Sequence, residues 1–426
     1  MKSFKSLLSL TLSFLFVQVS AQEIKPIYKT AVEKLAKKIE VQDAFAYILE
    51  IDEQTIADMI TLTEIPAPSF EEAAKGLVFA EMLRNAGADS VWIDEVGNVI
   101  ALRKGKKSDK TIVIDAHLDT VFPLDTDVSV KQRGDTLYAP GIADANRSLA
   151  MSIALVKTLA HQNIRTTHDL WFVGSVGEEG LGDLKGMKHL FREGGHKIDA
   201  FIAIDGGGIT GIVNAGIGSL RYKVTFKGSG GHSYGAFGIG NPHNALANAI
   251  TAFVSKADPY TKEGIRTTYS VSVLGGGTSV NSIPYESWML VDMRSEDQER
   301  LLGINELFLE AMQEGLKKEN SIIRRGNPLT VEVENVGDRP TGMTAPTHEL
   351  VQQSLAVSTY LTGKQARLSA SSTNSNVPLS LGIPAITVGR GGEAGGGHSL
   401  DEWFLNKDGY LGLQNALLLI LMQGGY

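Results

Sequence analysis

The chain of 426 residues contains no cysteine. Disulfides and thiolate metal ligands are therefore excluded, and so is lipid attachment through a cysteine at a processed N-terminus. A chain this long can bury enough core to fold without such staples. Beyond residue 21 no apolar stretch is long and uninterrupted enough to span a bilayer, and Leu411–Met422 reads instead as a buried terminal helix. Basic charge is not in excess: the net charge is −8, or −10 once Lys2 and Lys5 are set aside, which argues against nucleic acid as a partner. No repeat of fixed period and no low-complexity tract is present. No Gly-x-Ser-x-Gly elbow is followed by suitable partners, which argues against a serine hydrolase.

What is present begins at the N-terminus. Lys2 and Lys5 precede a short apolar run, Leu7 to Val17, and Val19-Ser20-Ala21 then offers small residues before Gln22. This is the pattern of a secretory signal peptide over residues 1–21, cut near Ala21. The expected location is the periplasm or the medium, with no stable membrane insertion after cleavage. An uncleaved anchor is the alternative.

Residues 24–64 carry apolar positions at helical spacing. Short buried-type runs follow at 111–114, 170–173 and 200–204, separated by helical stretches such as 149–160. Apolar strands alternating with helices predict an α/β fold with a mostly parallel central sheet. Near residue 217 the rhythm changes to strand–helix–strand–strand–helix–strand, the ferredoxin-like α+β arrangement. The first rhythm returns after Asp338-Arg339-Pro340. The expected organisation is a catalytic domain in two pieces, 22–216 and 337–426, interrupted by an inserted domain at 217–336.

The residues that carry chemistry follow the predicted strands. They are His117 and Asp119 in AHLD, Asp144 in GIADANR, Glu178 and Glu179 in GEEG, Asp205 in IDGGG, and His398 in GGGHS. Each has an ordinary reading alone: a polar loop, a helix cap at Asp144 or Asn146, a solvated acidic turn, loop punctuation. Together they set His, Asp, Glu, Asp and His at the carboxyl edge of one sheet, where open α/β sheets bind ligands. Residues two apart in an extended segment point the same way, so Asp119 can orient the ring of His117. Imidazole with carboxylate suits catalytic zinc, or cobalt or manganese. Five ligands exceed what one catalytic zinc uses, which suggests a pair.

The order AHLDTV, GIADANR, GEEG, IDGG and GGGHSLDEW resembles the di-zinc hydrolase family that includes peptidase T, carboxypeptidase G, aminoacylase and succinyl-diaminopimelate desuccinylase. The resemblance covers roughly residues 50 to 420. It implies two Zn2+, with His117 and Asp205 on one, Glu179 and His398 on the other, and Asp144 bridging. It implies Glu178 as general base and Asp119 as support for His117. In the inserted domain it implies that His232, in GGHS, stabilises the oxyanion, often across a dimer, and that Asn281 and Arg294 grip a substrate carboxylate. It implies a closing lid, and a homodimer formed through the inserted domain. Two positions depart from the pattern. Ala145 stands where relatives usually have a carboxylate or amide after a cis peptide, and Asn374 stands where many have aspartate.

Three functions are consistent with these residues. One is a di-zinc exopeptidase on short peptides. The second is a di-zinc deacylase on N-acyl amino acids. The third is an inactive peptide-binding protein of the same fold, against which the intact Glu178 and ligand set argue.

Overall fold

The computed structural model describes residues 23–426. The signal-peptide reading at 1–21 lies outside the described residues. Among them, no helix is long and apolar enough to cross a membrane.

The strands that position the site are β1 (Ser90–Ile93), β2 (Val99–Arg103), β3 (Thr111–His117), β4 (Asp169–Ser175), β5 (Ala200–Gly206) and β6 (Gly211–Gly216). A second sheet contributes β7 (Gly218–Lys227), β8 (Thr267–Gly276), β9 (Glu286–Ser295) and β10 (Thr330–Arg339). The first sheet resumes with β11 (Arg367–Ser371) and β12 (Ala385–Gly389). The first sheet runs β1-β2-β4-β3-β5-β12-β6, with Gly342–Met343 and β11 also on β6. Its centre, β4-β3-β5-β12, is parallel. The flanking pairs β1–β2, β2–β4 and β12–β6 are antiparallel. The sheet is thus parallel where the sequence reading found buried runs, and mixed at its margins.

Alternation explains why the central strands are apolar on both faces. Ile112 and Ile114 pack into the larger core with Phe79, Leu155 and Leu417, while Val113 between them joins Phe201, Met187 and Leu190 on the opposite side. Side chains alternate across a strand, so a parallel strand covered by helices on both faces needs apolar residues at every position. The helices Asn146–His161, Glu349–Thr362 and Tyr410–Gln423 supply the larger core. The stretch 24–64 resolves into three helices, Pro26–Ala36, Ile39–Glu50 and Asp52–Thr63.

The second sheet is antiparallel in the order β8-β9-β7-β10. Its elements follow strand–helix–strand–strand–helix–strand, with helices Pro242–Thr261 and Gln298–Asn320. Met289, Val291 and Met293 of β9 are buried against Phe253, Phe308 and Met312 of those helices, while the alternate residues of β9 are only half-buried. Each helix start is capped: Asn241 accepts the His243 amide at 3.0 Å, and Asp297 accepts the Arg300 amide at 2.8 Å. The two helices touch at Gly315, where an added Cβ would lie 2.5 Å from the Ala249 nitrogen. Only glycine permits that approach.

Candidate metal centre

β3 lies between β4 and β5: the chain crosses from β3 to β4 and then back past β3 to β5, so the direction of the connections reverses here. A crevice opens at such a point beyond the strands' carboxyl ends. His117 is the last residue of β3, Glu178 and Glu179 follow β4, and Asp205 lies near the end of β5. Asp144 precedes the helix Asn146–His161, which links β3 to β4, and His398 follows β12.

These side chains converge. His117 Nε2 lies 3.5 Å from Asp144 Oδ1 and 3.7 Å from Asp205 Oδ1. His398 Nε2 lies 3.1 Å from Asp144 Oδ2 and 3.0 Å from Glu179 Oε1. Two groups able to hold a cation result, His117–Asp144–Asp205 and Asp144–Glu179–His398, within each of which the ligand atoms lie within 4.8 Å of one another. Asp144 belongs to both, with one oxygen turned to each histidine. A third combination, His117–Glu178–Glu179, is also close enough.

Burial opposes a charged His117, yet contacts with Asp119, Asp144 and Asp205 hold its pKa well above the ordinary histidine value. Asp144 and Glu179 push His398 up to about 10. Asp205 is raised, chiefly by burial. Burial opposes a charged Asp144, yet His117, His398 and Arg390 hold it well below the usual carboxylate range, so acids and histidines balance one another's charge here. With nitrogen and oxygen donors and no thiolate, the set suits zinc, cobalt or manganese.

Asp119 does a different task from the one expected of its carboxylate. His117 Nδ1 meets the Asp119 backbone carbonyl at 3.0 Å, while the nearest carboxylate oxygen stands at 3.6 Å, beyond hydrogen-bond reach. The carboxylate instead accepts the amides of Glu178 and Glu179, each at 2.9 Å, and the Ser69 hydroxyl at 2.6 Å. It fixes the acidic loop, and its carbonyl fixes the ring.

Glu178 is buried beside that loop. Arg339 Nη1 reaches its Oε1 at 3.2 Å, and Arg339 Nη2 bonds its backbone carbonyl. Burial nonetheless pushes the Glu178 pKa up to about 8, with Arg339 opposing and Glu179 adding to the rise.

Asp144 enters through a tight bend. Ala145 has φ 56° and ψ −65°, and the Asn146 amide bonds the Asp144 carbonyl at 2.6 Å. This is a γ-turn of the rare, strained hand. Neither Asp144 nor Asn146 caps the helix, since the Asn146 side chain reaches back to the Gly141 carbonyl at 2.7 Å. No cis peptide occurs among the described residues.

Glu402 supports the bend. Fully buried, it accepts the amides of Gly141 at 3.0 Å and of Ala143 and Asp144 at 2.9 Å each. Glu402→Gln turns one acceptor into a donor facing those amides. An expected loss of about 1–3 kcal/mol in unfolding free energy follows from the unpaired buried groups, with weaker zinc retention. Denaturant melts and zinc titration of the variant check this.

The inserted unit behaves less uniformly. His232 pairs with Ser282 beyond the end of β7, and the Ser233 amide bonds the Asn281 carbonyl at 2.9 Å, so these two predicted residues are neighbours. Arg294 is not with them. It faces Ser219 at the opposite end of β7, where its Nε bonds Asp292 at 2.7 Å. From Ser219 to Lys227 the strand covers roughly 26 Å at 3.3 Å per residue. The string Gly231-His232-Ser233-Tyr234-Gly235 fits Gly-x-Ser-x-Gly literally. It sits on a two-residue strand and turn, not between strand and helix as an elbow requires.

Sequence reasoning missed Glu402, Arg339 and Arg390. Arg390 Nη1 stands 3.1 Å from Asp144 Oδ1 and 3.7 Å from Asp205 Oδ1. In the sequence Arg339 only marks where the first rhythm returns, and Glu402 lies inside GGGHSLDEW without an assignment. Nothing in the local pattern marks them, and their partners lie far off in sequence.

A protein-family model, Peptidase family M20/M25/M40, matches residues 113–422. Succinyl-diaminopimelate desuccinylase of Corynebacterium glutamicum is 27% identical over 247 residues, covering 56% of this chain and 66% of that protein, just under two thirds of its length. Among solved structures, a tripeptidase from Staphylococcus aureus aligns with a TM-score of 0.68 at 19% identity, covering 87% of this chain and 98% of the other. The di-peptidase Dug1p from Saccharomyces cerevisiae aligns with a TM-score of 0.70 at 14% identity, covering 90% and 98%. These structural likenesses show the fold. The chain belongs to the Peptidase family M20/M25/M40.

Proposed function

From that membership and the geometry of the site, we propose that this chain is a secreted di-zinc exopeptidase that cuts amide bonds of short peptides. The observation that carries the reading is the pair of ligand groups sharing Asp144, with the buried Glu178 next to them and outside the ligand assignment.

In this reading His117, Asp144 and Asp205 hold one cation and Asp144, Glu179 and His398 the other. A pair of divalent cations polarises the scissile carbonyl and lowers the pKa of water to about 7. The remaining chemistry is done by the chain. Glu178 takes the proton of the attacking water and later delivers it to the leaving nitrogen. Its carboxylate is buried beside the ligand groups, where a positioned base must stand. Arg339 keeps the carboxylate in place, and Asp119 fixes the loop from behind.

The inserted unit acts as a lid. Its tip carries exposed Tyr234, Phe237, Val280 and Tyr285 around His232. Such apolar exposure favours contact with another surface. The tip is suited to close on a site, in the same subunit or in a homodimer, and His232 then stabilises the oxyanion. Within one subunit Arg294 and Asn281 stand at opposite ends of the second sheet, so a carboxylate gripped by both would meet them from different subunits of a homodimer.

A second reading, cleavage of N-acyl amino acids, is favoured by the likeness to the desuccinylase. Both readings are tested together. The chain from Gln22 onward is purified, bound zinc is measured, and release of amino acids from di- and tripeptides and from N-acyl amino acids is followed with and without chelator. Zinc near two per chain and chelator-sensitive release are expected, and the products choose between the readings. Little metal and no cleavage after added zinc or cobalt would leave only a binding protein.

A further inference from the structure

Beside the ligand cluster lies a cavity of about 520 Å³, lined among others by Ala143, Gly207, Gly208, Gly397, Trp403 and Arg390. That volume is in the range of small-molecule sites. Arg390 is the only cationic residue in the lining. The two acidic ones are already engaged: Glu402 takes three backbone amides, and Glu393 pairs with Lys407 at 2.7 Å.

Arg390 is held at the end of β12 by its amide, which donates to the Gly206 carbonyl at 3.2 Å. Of its guanidinium only Nη1 is hydrogen-bonded among the described residues, to Asp144 Oδ1, and Nε is buried with no partner. Its two nearest acceptors, Asp144 Oδ1 and Asp205 Oδ1, are also the oxygens closest to His117 Nε2. A cation held by that group competes for the same oxygens. A guanidinium cannot shed its proton, and left without an anion in a half-dry place it is costly. Two divalent cations against the carboxylates of Asp144, Glu179 and Asp205 leave the cluster positive, and Arg390 adds to that.

We propose that Arg390 and the glycine-walled cavity beside it form the subsite for a substrate carboxylate, an inference that rests on the hydrolase reading above. Guanidinium and carboxylate match as a two-pronged pair. The glycines leave the walls open: a side chain added at Gly208 meets no atom within 4 Å. The carboxylate has two possible sources, the chain end of the departing amino acid or the far end of a dicarboxylic acyl group.

Two matched substrate pairs separate these sources: alanyl-alanine against its amide, and N-succinyl-alanine amide against N-acetyl-alanine amide. The wild-type protein is expected to prefer the carboxylate member of one pair, and that pair identifies the source. Arg390→Met is expected to shrink the preference about 10- to 100-fold through KM, with zinc per chain unchanged. Gly208→Val, which narrows the cavity, is expected to raise KM for the same substrate with zinc retained. The proposal is overturned if the wild type prefers neither member of either pair, if Arg390→Met keeps the wild-type preference, or if that variant loses zinc while keeping the preference. Failure of the hydrolase reading looks different, since no substrate is then cleaved at all. In that case calorimetric binding of N-acetyl-alanine and of N-succinyl-alanine amide, each compared with N-acetyl-alanine amide, decides the subsite alone. Selective loss of the acid's binding in Arg390→Met upholds it, and equal binding in both proteins refutes it.

Discussion

Glu178→Gln is expected to lower kcat by about 10²- to 10⁴-fold while leaving bound zinc and KM close to wild type, because a positioned proton acceptor contributes on that order. The amide keeps the shape of the side chain and its bond to Arg339, but it cannot take a proton from water. Glutamine also relieves the cost of burying a carboxylate next to Glu179, so thermal stability is expected to hold. Steady-state kinetics, zinc analysis and a thermal melt on one preparation check this. A variant with near-normal kcat would show that Glu178 is only a structural partner of Arg339.

Asp144→Ala is expected to have the larger effect. Asp144 belongs to both ligand groups, so its loss leaves His117 with Asp205 and Glu179 with His398, two donors each. Zinc is expected to fall from about two per chain to below one, and turnover to fall below detection. The variant is also expected to lose its stabilisation by added zinc. For the wild type that stabilisation is worth about 4 kcal/mol per site when free metal stands a thousandfold above Kd. Zinc analysis after dialysis and melts with and without metal distinguish this from misfolding. Retention of two zinc ions in the variant would overturn the shared role of Asp144.

The legibility of these features in the sequence followed their physics. His117, Glu178, Glu179 and Asp205 could be placed because each ends or follows a strand buried on both faces, and such strands announce themselves as apolar runs. The second sheet was legible for a similar reason, since β9 alternates strictly and its helices are long and amphipathic. The flanking strands were not. β6 reads Gly-Ile-Val-Asn-Ala-Gly, and glycine at both ends gives little strand signal. β1 has only four residues, none of them fully buried. The parts of the site that were missed share another property. Arg339, Arg390 and Glu402 have no periodic context, and their roles come from partners that are far off in sequence. Asp119 adds a detail no sequence shows: it meets His117 through its backbone carbonyl, while its carboxylate takes the Glu178 and Glu179 amides.

The ligand set is divided by the inserted unit. His117, Asp144, Glu179 and Asp205 precede it, and His398 follows it near the carboxyl end of the chain. During synthesis the His117–Asp144–Asp205 group is therefore complete before the inserted unit is made, whereas the group joining Asp144 and Glu179 waits for His398. A nascent chain has no complete pair of sites to load, however much metal surrounds the ribosome.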